Sequence, residues 1–246
     1  MARLSVNLNK IALLRNSRRT GAPDLLAFPK IVRDAGALGV TVHPRPDERH
    51  IRRSDVGAIA DVIAPWRPAF EFNIEGRPDD AFLALVETVK PEQCTLVPDA
   101  DDAFTSEEGW RLDEGEIARL APVIARLHRM GARVILFVDP DPAIVERVAK
   151  TRADGIEIYT GSYAAAFRDG AGDAVLGLIR ELGAKAHARG LVVNAGHDLN
   201  LKNIPPLVAA LPHLHEASIG HELTADALIH GFPATVAAYA KALAPA

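Results

Sequence analysis

Three histidines and two glutamates stand where short β-like runs end. His43 closes GVTVH, Glu75 follows FEFNI, Glu157 lies inside GIEIY, and His197 and His221 come directly after LVVNAG and EASIG. Imidazole titrates near neutrality and a buried glutamate is tuned upward, so such a set, gathered round one pocket, suits repeated proton transfer. A single histidine at a strand end is more often a satisfied polar residue, and an inward glutamate such as Glu71 can be half of a buried ion pair. Five ionisable groups at matching strand ends are costly to bury together, which favours chemistry over packing. Two more segments suit anions. The loop PRPDERHIRR, with Arg45 and His50, follows His43, and Gly220 and His221 precede a helical stretch whose free backbone N–H groups would favour a phosphate. Two anion sites point to condensation of two substrates rather than isomerisation of one. The short basic runs 15–19 and 49–53 otherwise read as solvated faces.

The elements that must carry these residues alternate. Strand patterns cover 4–8, 39–43, 69–74, 93–97, 133–138, 155–159, 191–194 and 216–219. Helical patterns fill 23–35, 54–64 (Ser54 as cap), 79–89, 114–130, 142–150, 172–189, 204–211 and most of 223–243. Eight strands each followed by helix imply a parallel sheet, and about 250 residues is the size of a closed barrel. The expected fold is therefore α/β: a (β/α)8 TIM barrel with extra helices, forming one domain over residues 1–246. An open doubly wound sheet is the alternative, but VNLNKIALLRN stands where its glycine-rich fingerprint would be. Side chains alternate faces along a strand. Ser5, Asn7 and Asn9 share one parity, as do Thr41 and His43; Glu71, Asn73 and Glu75; and Glu157 and Tyr159, each opposing an apolar set. The polar parity should face the barrel axis, bringing Asn7, His43, Glu75, Glu157, His197 and His221 to one mouth.

Composition narrows the classes. The chain has 246 residues, a net charge of −4 and one cysteine, Cys94, which excludes an intramolecular disulfide. That balance gives no electrostatic reason to expect nucleic acid or an anionic membrane as partner. No run approaches the ~20 apolar residues of a membrane span, and the start lacks a signal-peptide pattern. A cytoplasmic enzyme is the expectation. A metal hydrolase would want a His-x-His pair on the first strand; the pair His213 and His215 instead lies at the start of the eighth, away from the mouth, so no metal is expected.

The segments SVNLNKIALLRNSRRT (5–20), FNIE (72–75), TLVP (95–98), EIYTGSY (157–163), NAGHDL (194–199) and SIGH (218–221), with the HxRxDxRHI pattern beginning at His43, resemble the pyridoxine 5′-phosphate synthase family in order along nearly the whole chain. The resemblance implies condensation of 3-amino-2-oxopropyl phosphate with 1-deoxy-D-xylulose 5-phosphate to pyridoxine 5′-phosphate, phosphate and water, without metal or organic cofactor. It implies His43 as proton-accepting base, Glu75 as a second acid/base, His197 as proton donor to departing water and Glu157 as stabiliser of polarised or cationic intermediates. It assigns Arg45 and His50 to the deoxyxylulose phosphate, Gly220 and His221 to a phosphate, and Asn7, Arg18 and Thr105 to substrate contacts. It also implies self-association, from dimers to octamers. Asn9 and Lys10 replace the family's more usual Asp-His, and Asp198 stands where glycine commonly follows the histidine of NAGH. These departures bear on substrate contacts, with Lys10 or Lys202 expected to pair Asp198. The loop 99–110 is a candidate cover over the mouth. Competing readings are another phosphosugar barrel enzyme or a non-catalytic binder of phosphorylated ligands.

Overall fold

The structure, a computed structural model, describes residues 2–98 and 108–244. Among them eight parallel strands pair in chain order and the eighth closes on the first, giving a barrel. The elements run β1 (Arg3–Asn7), α1 (Asn9–Asn16), α2 (Phe28–Asp34), β2 (Gly39–Val42), α3 (Arg53–Ile63), β3 (Glu71–Gly76), α4 (Asp80–Val89), β4 (Gln93–Leu96), α5 (Glu114–Arg129), β5 (Arg133–Val138), α6 (Val145–Thr151), β6 (Gly155–Tyr159), α7 (Gly161–Arg168), α8 (Gly172–Ala188), β7 (Val192–Gly196), α9 (Ile204–Ala210), β8 (Leu214–Ile219), α10 (His221–His230) and α11 (Phe232–Ala242).

One strand parity, including Val6, Val40, Phe72, Ile74, Leu96, Leu136, Ile156, Ile158 and Ile219, is buried in the hydrophobic core between strands and helices. A fully buried phenylalanine such as Phe72 contributes about 3–5 kcal/mol relative to alanine. The opposite parity meets across the axis. Gln93 on β4 donates to Glu216 on β8 at 3.0 Å, directly across the barrel, and Thr95 on β4 donates to Glu157 on β6 at 3.4 Å. The barrel interior is thus largely polar, where this fold is more often filled by branched aliphatic layers.

Helix caps are local and chemical. Asp79 and Asp113 accept backbone N–H groups of α4 and α5 at 2.8 Å each. Ser54 does not cap α3; it lies inside the helix, and Asp55 accepts the N–H of Arg52 at 2.8 Å instead. Two helices depart from the sequence reading. Asn9 does not continue β1 but starts α1, whose KIALLR is rich in strong helix formers. Gly161–Arg168, with its run of three alanines, forms α7. The stretch 23–35 begins as a 3-10 turn, and the last helix breaks at Gly231, whose φ of 84° ends α10 before Pro233 opens α11. None of the helices described is long and apolar enough to cross a membrane.

Candidate active site

The C-terminal strand ends open into a cavity of about 360 Å³, lined among others by Asn7, Asn9, Lys10, His43, Arg45, Arg49, His50, Glu75, Glu157, Tyr159, His197, Asp198, Gly220 and His221. Its proton-bearing groups face one another. His43 Nδ1 lies 3.9 Å from Glu75 Oε2. Asn7 on β1 and Ser218 on β8 donate to the two oxygens of Glu75 through long bonds of 3.4 and 3.5 Å. Asn9, at the start of α1, accepts the backbone N–H of His43 at 3.0 Å, so it holds His43 in place although it is not on the strand. His197 stands edge-on to Tyr159, ring centroids 5.2 Å apart, and beside Phe137. The Thr160 hydroxyl lies 2.6 Å from the carbonyl oxygens of Gly196 and His197 and pins that turn. Gly196 is bare for a reason: a Cβ there would collide with Glu157 Oε1.

Burial sets the protonation states. His43, 7% exposed, is held well below the usual histidine range by desolvation and then by the charges of Arg45 and its histidine neighbours. It is neutral at pH 7 and able to accept a proton. His50 is lowered to about 4, by burial and then by Arg45 and Lys10. Its Nδ1 accepts the Ile51 N–H at 2.9 Å, which leaves the proton of the neutral ring on Nε2 as a donor. Glu157, 3% exposed, is pushed up by burial and then by Glu216, which favours its protonated form. Burial on the helix-facing parity pushes the Cys94 thiol up, so it is no nucleophile.

The family of pyridoxal phosphate biosynthesis protein PdxJ matches residues 4–245. The chain belongs to this family. Pyridoxine 5′-phosphate synthases of Brucella anthropi and Brucella suis are 50% and 51% identical to it, over 99% of both chains in each case. Solved structures share the fold at low identity. A tryptophan synthase chain from M. tuberculosis superposes with a TM-score of 0.65 at 14% identity, covering 98% of this chain and 92% of that one. A phosphoribosyl anthranilate isomerase does so with 0.57 at 14%, covering 99% and 98%.

Of the described positions carried over from the family pattern, the cavity gathers all but one. Arg18 is exposed and does not line it. Its neighbour Arg15 turns inward instead, gripping Asp55 at 2.7 and 2.8 Å and the His50 carbonyl at 3.2 Å. Thr105 and most of the loop 99–110 lie outside the described residues. Among the residues described, neither Lys10 nor Lys202 forms an ion pair with Asp198. His197 and Asp198 adopt φ of 85° and 53°, the left-handed region where glycine is at ease, which accounts physically for the family's usual glycine after this histidine. Asparagine and aspartate tolerate it best among other residues. The sequence reading missed Arg49, Phe137, Ser218 and Glu222 as lining residues. The inward parity of β5 marks Phe137 in the sequence; Arg49 stands in a charged run that reads as a solvated face.

Proposed function

We infer that this chain makes pyridoxine 5′-phosphate from 3-amino-2-oxopropyl phosphate and 1-deoxy-D-xylulose 5-phosphate, releasing phosphate and water. The observation that carries the reading is one cavity in which neutral His43, Glu75, His197 and an uncharged Glu157 face each other beside cationic groups, in a chain half identical to synthases of that name over their full length. Imine formation, phosphate elimination and ring closure each move protons but need no redox step. His43 accepts a proton from substrate carbon or hydroxyl, and Glu75, 3.9 Å away, exchanges protons with the same substrate. His197 donates as water leaves. Glu157, carrying its proton, donates a hydrogen bond to a polarised oxygen rather than supplying negative charge to a cation. Arg45 and the Nε2–H of His50 hold one phosphate, with Arg49 and Lys10 at hand. The N-terminus of α10, with Gly220 as its cap and His221 as its first residue, receives the other. Asn7 and Asn9 complete the substrate contacts, with Asp198 beside them as a charge that opposes phosphate; Arg18 belongs to them only if a neighbouring copy or substrate recruits it.

The same reading makes the barrel one functional domain in the cytoplasm, needing neither nucleic acid nor membrane, and self-associating. Leu228 and Ile229 on α10, 77% and 78% exposed, support an interface between copies. The decisive experiment incubates the protein with both substrates and a chelator and follows product by absorbance and mass. Product is expected from the native chain, with a loss of about 10²–10⁴-fold in kcat for His43→Ala. No product from folded protein would leave the family likeness as a matter of fold and phosphate binding alone.

A further inference from the structure

Beneath the mouth lies a polar stack that the reaction as described does not use. At its base Arg3 and Arg133 donate to the two oxygens of Glu71 at 2.8 and 2.6 Å. Arg133 also donates twice to Gln93 Oε1, at 3.1 and 2.8 Å. With that oxygen committed as acceptor, Gln93 turns its Nε2 across the barrel to Glu216 Oε1 at 3.0 Å. Asn194 donates its Nδ2 to the same Gln93 oxygen at 3.2 Å, so its own Oδ1 must point elsewhere. That oxygen is buried and has no donor among the described residues. Glu157 and Glu216 flank Asn194, each paired with it in register from the adjoining strand. Both carboxyls are buried, at 3% and 1% exposure. A protonated carboxyl on either side supplies the missing hydrogen; two carboxylates would leave the amide oxygen facing only other acceptors. Charge counting agrees. Two guanidinium groups serve the three carboxyls Glu71, Glu216 and Glu157, and both close on Glu71.

We propose that Glu216 and Asn194 are positioning residues for Glu157, forming a buried layer that shares one proton with it and keeps it in its neutral, hydrogen-donating form. The groups facing this layer are Arg3 on β1, Glu71 on β3, Gln93 and Thr95 on β4, Arg133 on β5 and half-buried His215 on β8, with Glu75, His43 and His197 at the mouth above. The proton is retained because neighbouring buried carboxyls cannot both ionise cheaply. Both groups are shifted upward, Glu157 by burial and then by Glu216, Glu216 by burial and then by Glu71. Orientation follows as well: Glu157 Oε2 takes the Thr95 hydroxyl, and Gly196 leaves room for Oε1.

The proposal rests on the reading of Glu157 as an active-site acid, and an infrared measurement tests the layer without turnover. The carboxylic acid C=O band of the native protein is followed against pH, with Glu157→Gln used to assign it. A protonated band at neutral pH, lost in that variant, is expected. In Glu216→Gln, Glu157 should titrate lower by about one pH unit or more, and the alkaline limb of kcat should move with it while KM stays within about twofold. Asn194→Asp, which adds a third carboxyl, should move the titration upward. A purely structural Glu216 would change kcat equally at all pH values and leave the band in place. The proposal is overturned by a native protein with no protonated carboxyl at neutral pH, as when a buried water serves Asn194, or by a Glu157 titration unmoved in folded Glu216→Gln. If Glu216→Gln does not fold, the native band and Asn194→Asp still decide. Absence of product with the band present would count against the reaction, not against the layer.

Discussion

His43 and Asp198 show how position within one cavity assigns different work to single residues. His43 is desolvated among cations, which keeps it neutral and available as a base. Asp198 faces the same cavity in a left-handed conformation, its carbonyl held by the Asn203 side chain at 3.0 Å, with no ion pair among the described residues. On the proposed reading, an unpaired carboxylate beside a bound phosphate opposes binding. Asp198→Gly should therefore lower KM for the phosphorylated substrates several-fold, in line with about 1 kcal/mol for one partly solvated charge. The gain should shrink as salt is added. Steady-state kinetics at two ionic strengths checks it. A higher KM in the variant would make Asp198 a substrate ligand.

Elements set the precision of the loop that follows β2. The C-terminal turn of α1 clamps the segment after β2: Arg15 holds Asp55 and the His50 carbonyl, and Asn16 Nδ2 reaches the carbonyls of Arg49 and His50 at 3.1 and 2.8 Å. The Arg15–Asp55 pair is nearly buried, with 10% and 13% of the side chains exposed. Arg15→Ala strands Asp55 and frees the loop, at a cost of roughly 3 kcal/mol in stability. Because Arg15 does not line the cavity, KM should rise about tenfold or more with a smaller change in kcat. Thermal unfolding and kinetics together test this; an unchanged KM at reduced stability would confine Arg15 to folding. Here the sequence was least legible. KIALLRN is too short for a strong helical period, so Asn9 looked like a strand residue, and only the helix that starts there explains how its amide reaches the His43 backbone.

The polar axis makes the stability of the whole molecule depend on pH in two directions. Glu157 and Glu216 are raised from 4.5 to about 8 and about 7, so the folded state binds their protons more tightly than the unfolded chain does. Their stabilising contribution is full below about pH 4.5 and is lost as pH rises through about 7 to 8. His43 and His50 are lowered from 6.5, His50 to about 4, so their contribution is present above about 6.5 and is lost as pH falls. Between these limits the two trends oppose; above about pH 6.5 the carboxyls act alone. Melting temperature should fall from about pH 6.5 to 8.5, and Glu216→Gln should flatten that fall. An equal slope in both proteins would argue that Glu216 gains no proton on folding.

The amino-acid sequence by itself determined the barrel, the strand parities and the mouth that collects His43, Glu75, Glu157 and His197, because period-two alternation and strand ends are local properties of the chain. It did not determine that Arg18 stays outside while Arg15 turns in, that Asn9 opens a helix, or that Gln93 reaches across the axis to Glu216. Those depend on contacts such as Arg15–Asp55, Asn9–His43 and Gln93–Glu216, between residues 34 to 123 positions apart. Only closure of the barrel brings such groups together and removes the water that would otherwise set their charge.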